Sequence, residues 1–337
     1  MSCRTLAGLL IAWLLAATAS LAQAQWPGPT QGPAVPPGKR VLFIAADFRN
    51  GGVAGVYRGI KQAARRVGWQ VHALDGRGDA AHLRRLAAQA LREAPDGVVL
   101  GGFGADMLGN LPASFRQHKI PLVGWHAADK PGPTRWLFNN VSTDPLLVAD
   151  LAADLVIGEH PSGIVIFTDS QFAIATAKAE RMAARIARCA SCRLLSIEDL
   201  PIARAAEDIA TRTLQLQRRF GPSWTHALAI NDLYFDHINV PLARLGRRDI
   251  RLVSAGDGSA KALGRIQSGL SQQIATVAEP LEAHGWQVLD ELNRALAGEP
   301  PSGYVARPLL VTGRTANGDA APDRQHEAGY LRLWQPK

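Results

Sequence analysis

Two acidic residues close adjacent apolar runs in the stretch LVSAGDGSAKALGRIQSGLSQQIATVAEP: Asp257 lies between two glycines, and Glu279 stands just before a proline. Two carboxylates so placed could work as an acid/base pair on a glycosidic bond. They could also accept hydrogen bonds from the hydroxyl or ammonium groups of a bound molecule, with no reaction at all. Other residues after apolar runs have the same character. Asp47, Phe48 and Asn50 follow the first run, Phe103 the third, and Trp125 and His126 the fourth; Asp169, Gln171, Asn231 and Asp232 come later. Aromatic faces beside amide and carboxylate acceptors are what a desolvated cleft needs to hold a small hydroxylated or cationic ligand. Taken singly, Asp and Asn after a strand are ordinary helix caps and turn formers. Their joint occurrence is what points to a binding cleft.

Signatures of catalysis are largely missing. The chain has no G-x-S-x-G elbow, no S-x-x-K and no H-E-x-x-H, which removes the simplest serine-hydrolase, penicillin-binding and zincin readings. Glycines cluster in NGG (50–52) and GGFG (101–104) without completing a dinucleotide fingerprint or a phosphate loop, so no cofactor is expected. His126 and His237 are too isolated for a metal cluster, and no metal is expected. Cys189 and Cys192 follow a helical pattern in ARCASCRL, where a redox pair would open a helix; a small structural disulfide or two free thiols are the readings kept.

The elements that must position these residues are legible from a repeated rhythm. Apolar, β-rich runs recur at 41–46, 71–74, 97–100, 121–125, 163–168, 193–197, 226–230, 250–255 and 272–277, with amphipathic helical patterns between most of them. Continuous apolar strands alternating with helices imply parallel sheets covered on both faces. The fold class is therefore α/β, and a chain of 337 residues is long enough for two doubly wound lobes. The polar segment FNNVSTD, residues 138–144, is read as the boundary between the two series. In open parallel sheets ligands bind beyond the carboxyl ends of the strands, where the polar and aromatic residues stand.

The ends of the chain carry different signals. Arg4, an apolar stretch and Ala22-Gln23-Ala24 predict a signal peptide over residues 1–24, hence export to the periplasm with no membrane insertion. Its removal takes Arg4 away and leaves 36 basic against 29 acidic residues, lowering the net charge from +8 to +7. No basic run interleaved with aromatics accompanies that charge, so no nucleic-acid partner is expected. A Pro/Gly-rich tether is expected over 25–38, and a C-terminal extension, packed on the surface or partly disordered, over 317–337.

From about Lys39 to Thr312 the chain resembles the type I periplasmic substrate-binding proteins of the ribose-binding kind. The likeness is carried by VLFIAADFRNGGVAGVYRGIKQAARRVGWQVHALD, IPLVGW, NNVSTDPLLVADLAADLVI, HALAINDLYFDHINVPLARLG, IRLVSAGDG and GRIQSGLSQQIATVAEPLEAHGWQVLD. The resemblance implies two Rossmann-like lobes joined by a three-segment hinge, with residues 39–142 plus 280–307 in one lobe and 143–279 plus 308–316 in the other. It also implies a monomer that captures a sugar, polyol or related solute and delivers it to an ABC transporter permease. A sensor subunit docking on a membrane receptor or histidine kinase is the alternative, and a periplasmic hydrolase a more distant one. Residue by residue, Asn50, Asn231 and Asp257 match ligand-contacting positions of the family, and Glu279 stands where glutamine is usual. The two acids thus become binding groups, not a catalytic dyad. The chain departs from the ribose binders in four places. His126 and Ala127 replace an Asp-Arg pair, Gly52 and Val53 replace phenylalanines, Glu279 replaces glutamine, and the usual arginine has Lys178 as its nearest counterpart, Arg181 next.

Overall fold

A computed structural model describes residues 26–160, 163–316 and 325–336. Its first sheet contains β1 (Arg40–Ala45), β2 (Gln70–Asp75), β3 (Gly97–Gly101), β4 (Leu122–Trp125) and β5 (Asn139–Val141). These strands are all parallel, in the order β2-β1-β3-β4-β5. Helices α1 (Gly51–Val67), α2 (Ala80–Glu93) and α3 (Leu111–Gln117) connect them. The second sheet contains β6 (Ile164–Thr168), β7 (Leu194–Asp199), β8 (His226–Ala229), β9 (Arg251–Ser254), β10 (Gln273–Ala278) and β11 (Leu309–Thr312). Its order is β11-β10-β9-β8-β6-β7, and β11 is antiparallel to β10. Around and between the sheets run α4 (Pro145–Gly158), α5 (Ala173–Ile186), α6 (Ala205–Phe220), α7 (Leu233–Arg244), α8 (Ala260–Ser268), α9 (Leu281–Ala297), α10 (Gly313–Ala316) and α11 (Gln325–Leu333).

The expected strands form because their apolar runs can be buried on both faces: β3 and β6 are buried along their whole length. Caps define where the helices begin. Asn50, Asp79, Asp144 and Ser259 each accept a hydrogen bond from a backbone N–H in the first turn of α1, α2, α4 and α8. The segment read as a boundary contains β5, too short to show a period, and β11 has only the three-residue run Leu309-Leu310-Val311 to announce it.

The chain passes between the sheets three times: from β5 to α4, from β10 to α9, and from α9 back to β11. Helix α9 is buried over most of its length from Leu281 to Arg294. On one side it packs on α1 at a glycine-lined crossing, where a side chain at Gly59 would press on the Glu282 carbonyl and one at Gly285 on the backbone of Val56 and Ile60. The other side is covered by residues 26–38 and by α11 with the residues just after it. Residues 26–38 are irregular in backbone but are not a free tether: Asn293 and Arg294 donate to the Pro33 and Gln31 carbonyls, and Trp69 Nε1 donates to that of Pro36. Helix α11 is packed on the same side. Tyr330, Leu333 and Trp334 are buried, Trp334 stacks on Trp286 with ring centroids 5.5 Å apart, and Trp26 meets Tyr330 edge-on. Tryptophan and tyrosine bury large apolar areas, and these residues are spaced for one helix face.

Residues 1–24, where the signal peptide is expected, lie outside the described residues. Among the described residues no helix is long and apolar enough to cross a membrane. Cys189 and Cys192 are joined by a disulfide just beyond α5.

Candidate functional site

Because the strands are parallel throughout the first sheet and, β11 apart, in the second, the carboxyl ends of the parallel strands share one edge in each sheet, and the two edges face each other across a cleft. A cavity of about 80 Å³ lies between them, lined from one side by Asp47, Asn50, Trp125 and His126 and from the other by Lys178, Asn231 and Asp257. The lobes touch around it. Side chains at Gly51 and Gly78 would run into Ser259 and Ala203 of the opposite lobe, and a Cβ on Gly52 would stand 2.6 Å from an Asp257 oxygen. Only glycine at position 52 admits that carboxylate to the start of α1.

Asp257 is 5 % exposed, and among the described residues its carboxylate has no hydrogen-bond partner. Burial pushes its pKa up to about 7, against the opposing pull of Lys178 and His126. Its position is set by Asp232, whose Oδ2 accepts from the backbone N–H groups of Asp257 (3.2 Å), Gly258 (2.9 Å) and Ser259 (2.8 Å). The other oxygen of Asp232 accepts from Ser254 Oγ and, at 2.9 Å, from Gln273 Nε2. Asp232 is therefore the clamp that presents Asp257, a role that its place after a strand did not reveal.

Glu279 does not line the cavity, which corrects its expected place as a ligand contact. It sits behind His126, in the crossover from β10 to α9, and its side chain is inaccessible. Oε2 accepts from His126 Nε2 (2.9 Å), from Thr143 Oγ1 (2.8 Å) and from the Thr143 N–H (3.4 Å). Among the described residues Oε1 makes no hydrogen bond, and it stands 3.9 Å from Lys178 Nζ. Burial alone would raise this carboxyl, but the charge and hydrogen bond of His126 and the Lys178 ammonium hold it well below the usual carboxylate range. His126 Nε2, Asp257 and Glu279 offer ligand atoms within 4.8 Å of one another, as a metal site would. Lys178 already supplies the cation there, so the trio is a poor cradle for a divalent ion. The two acids are also unsuited to act as a catalytic pair, since only one of them faces the cavity.

The remaining side chains have mixed fates. Lys178 donates to the Ala255 carbonyl (2.9 Å), whereas Arg181 turns away to pair with Asp150. Trp125 donates to His284 Nδ1 (3.1 Å) and stacks on His126, centroids 4.1 Å apart. Burial lowers the pKa of His284 to about 4, so it is a neutral acceptor. Asn50 and Asn231 each use their side-chain oxygen as a local cap, on the N–H groups of Gly52 and Leu233. Asp47 is engaged by Arg49. Phe103 is a correction: it is fully buried among Leu42, Ile44 and Phe115, away from the cavity, and Phe48 packs on Phe43 and Tyr57. Sequence reading missed Met107, Ile174 and Ile202, which line the cavity. For Ile174 a signal existed: positions 171, 174, 175 and 178 recur on one face of the helix that begins there.

No family model matches the chain, and no curated protein matches it at significance. Solved structures do match. A 5-methylthioribose transporter solute binding protein from Thermotoga lettingae, in complex with 5-methylthioribose, aligns over 91 % of this chain and 96 % of its own, with a TM-score of 0.76 at 15 % identity. An ABC transporter solute binding protein from Agrobacterium vitis with bound allitol covers 83 % and 97 %, with a TM-score of 0.71 at 18 % identity. A third, from Mycobacterium smegmatis with bound glycerol, covers 82 % and 95 %, with a TM-score of 0.72 at 18 % identity. This is the type I periplasmic binding fold. In the type I fold of this chain the cavity lies between the lobes, and the ion cluster around Glu279 joins both of them to a crossover segment.

Proposed function

We propose that this chain is a periplasmic solute-binding protein that captures a small polar molecule, a sugar, polyol or related compound, and delivers it to an ABC importer. One observation carries the reading: a buried, unpartnered carboxylate, Asp257, faces a small cavity between two lobes. A buried acceptor without a partner is costly, and a ligand's hydroxyl or ammonium group relieves that cost. The bound molecules of the similar structures, 5-methylthioribose, allitol and glycerol, all carry hydroxyl groups and support the same chemistry. The lobes are proposed to divide as residues 39–142 with 280–307 and residues 143–279 with 308–316, closing by rotation about the crossovers. The ligand contacts proposed are Asp47, Asn50, Trp125, His126, Lys178, Asn231 and Asp257, with no catalytic residue.

The test pairs calorimetric titration of a broad panel of sugars, polyols and amines with small-angle scattering. The expected result is binding of one chemical class, a smaller radius of gyration on binding, and recovery of the compound unchanged. Turnover of the bound compound, or binding with no dependence on Asp257, would sink the proposal.

A further inference from the structure

The floor and the rim of the cavity differ in chemistry. At the floor, buried Asp257, Lys178 and Asn231 lie with Trp125 and Ile230. The rim is formed by half-buried Met107, Phe172, Ile174 and Ile202, with Gln171 the exposed polar exception. Several other polar groups near the rim are already occupied, while half-buried Asn50 and His126 line the cavity on the opposite side. Arg49 engages the Asp47 carboxylate, and Asp169 accepts from the backbone N–H groups of Gln171 (3.1 Å) and Ile202 (2.8 Å). Gly78 and Gly102 donate their N–H groups to the Ala46 and Trp125 carbonyls. A second hollow, about 300 Å³, continues outward past Met107, Phe172 and Ile174.

A molecule hydroxylated along its whole length would leave its outer hydroxyls desolvated against this rim without partners. We infer that the ligand has a hydrogen-bond-donating head, seated on Asp257, and an apolar body lying against Met107, Phe172, Ile174 and Ile202. The head carries a few heteroatoms at most, because beyond Asp257 the polar groups on the lining that could donate are confined to Lys178, His126 and the Asn50 and Asn231 amides, with Gln171 at the rim. The first cavity, about 80 Å³ against roughly 300–1,000 Å³ for common ligand clefts, limits the molecule to a short chain. This inference rests on the proposed binding role and narrows its ligand from sugars in general to short diols or amino alcohols with an alkyl tail.

The experiment is calorimetric titration of the purified protein with 1,2-propanediol, 1,2-butanediol, 1,2-pentanediol and 1-amino-2-pentanol, against xylitol and ribose as five-carbon controls. Each methylene buried adds roughly fourfold in affinity, so the diols should tighten stepwise and 1,2-pentanediol should exceed xylitol and ribose by at least about tenfold. Ile202→Ser, a half-buried rim change with little risk to folding, should erase much of the chain-length dependence, and Asp257→Ala should abolish binding of the whole series. A tighter amino alcohol identifies a cationic head, and an equal one a hydroxyl head; both support the inference. Xylitol or ribose binding as tightly as the pentanediol overturns it while leaving the solute-binding role intact. Silence of the diols and the amino alcohol also overturns it, and the broad panel with scattering then decides the binding role separately.

Discussion

Asp257 concentrates the physical tension of the site: a largely buried carboxyl group that faces the cavity and, among the described residues, accepts no hydrogen bond. Its folded-state pKa of about 7 lies above the ordinary 3.8, so the folded protein holds a proton that the unfolded chain releases. Stability is therefore lost as pH rises from about 4 to 7, by up to roughly 4 kcal/mol at 1.36 kcal/mol per unit. Asp257→Asn should remove that loss. In urea unfolding without ligand, the variant should match the wild type near pH 4 and exceed it at pH 8; equal stabilities at pH 8 would refute the account. Glu279 should behave in the opposite sense, because His126, Thr143 and Lys178 all favour its charged form. Glu279→Gln leaves His126 and Lys178 with a neutral neighbour and should cost about 3 kcal/mol at pH 7 in the same assay, the scale of a broken buried pair. Position after a strand was enough to single out both acids. It could not separate the one facing the ligand from the one behind it, because that depends on which way the crossover turns.

At the scale of elements, the α1–α9 crossing is set by small residues. A methyl group at Gly59 meets backbone, which cannot rotate aside as a side chain can. Gly59→Ala should therefore cost about 2–3 kcal/mol, read as a lower melting temperature, even though alanine favours a helix. A gain in stability would mean the helices do not approach so closely. The strand runs were legible in the sequence because buried parallel strands are continuously apolar, and the helices because one face repeats every three to four residues. Strands β5 and β11 were not: β5 is the largely polar Asn139–Val141, β11 offers only a short apolar run, and their pairing is supplied by the sheet. Phe103 illustrates the same limit: its place after β3 equals that of a ligand contact, yet the turn that follows sends its ring into the core.

Across the whole molecule, residues 26–38 and α11 meet on the back of α9 and close one lobe. Trp334 stacks on Trp286 and donates to Asp290 Oδ1 (2.8 Å), leaving Arg294 as that acid's other partner. Trp334→Ala should cost about 3–5 kcal/mol, measured by thermal or urea unfolding, although it lies outside the ligand cleft. An unchanged melting temperature would show the C-terminal helix to be dispensable. The sequence by itself determined the α/β class, the alternation of strands and helices, and the polar and aromatic character of the strand ends. Each follows from local periodicity and from what a residue type can bury or bond. Only the tertiary structure decided that Asp257 faces the cavity, that Asp232 and Glu279 serve as supports, that Met107, Ile174 and Ile202 line the cavity, and that residues 26–38 and α11 pack on the core. Those facts depend on contacts between residues far apart in the chain, such as Trp26 with Tyr330 and His126 with Glu279, whose geometry no local pattern encodes.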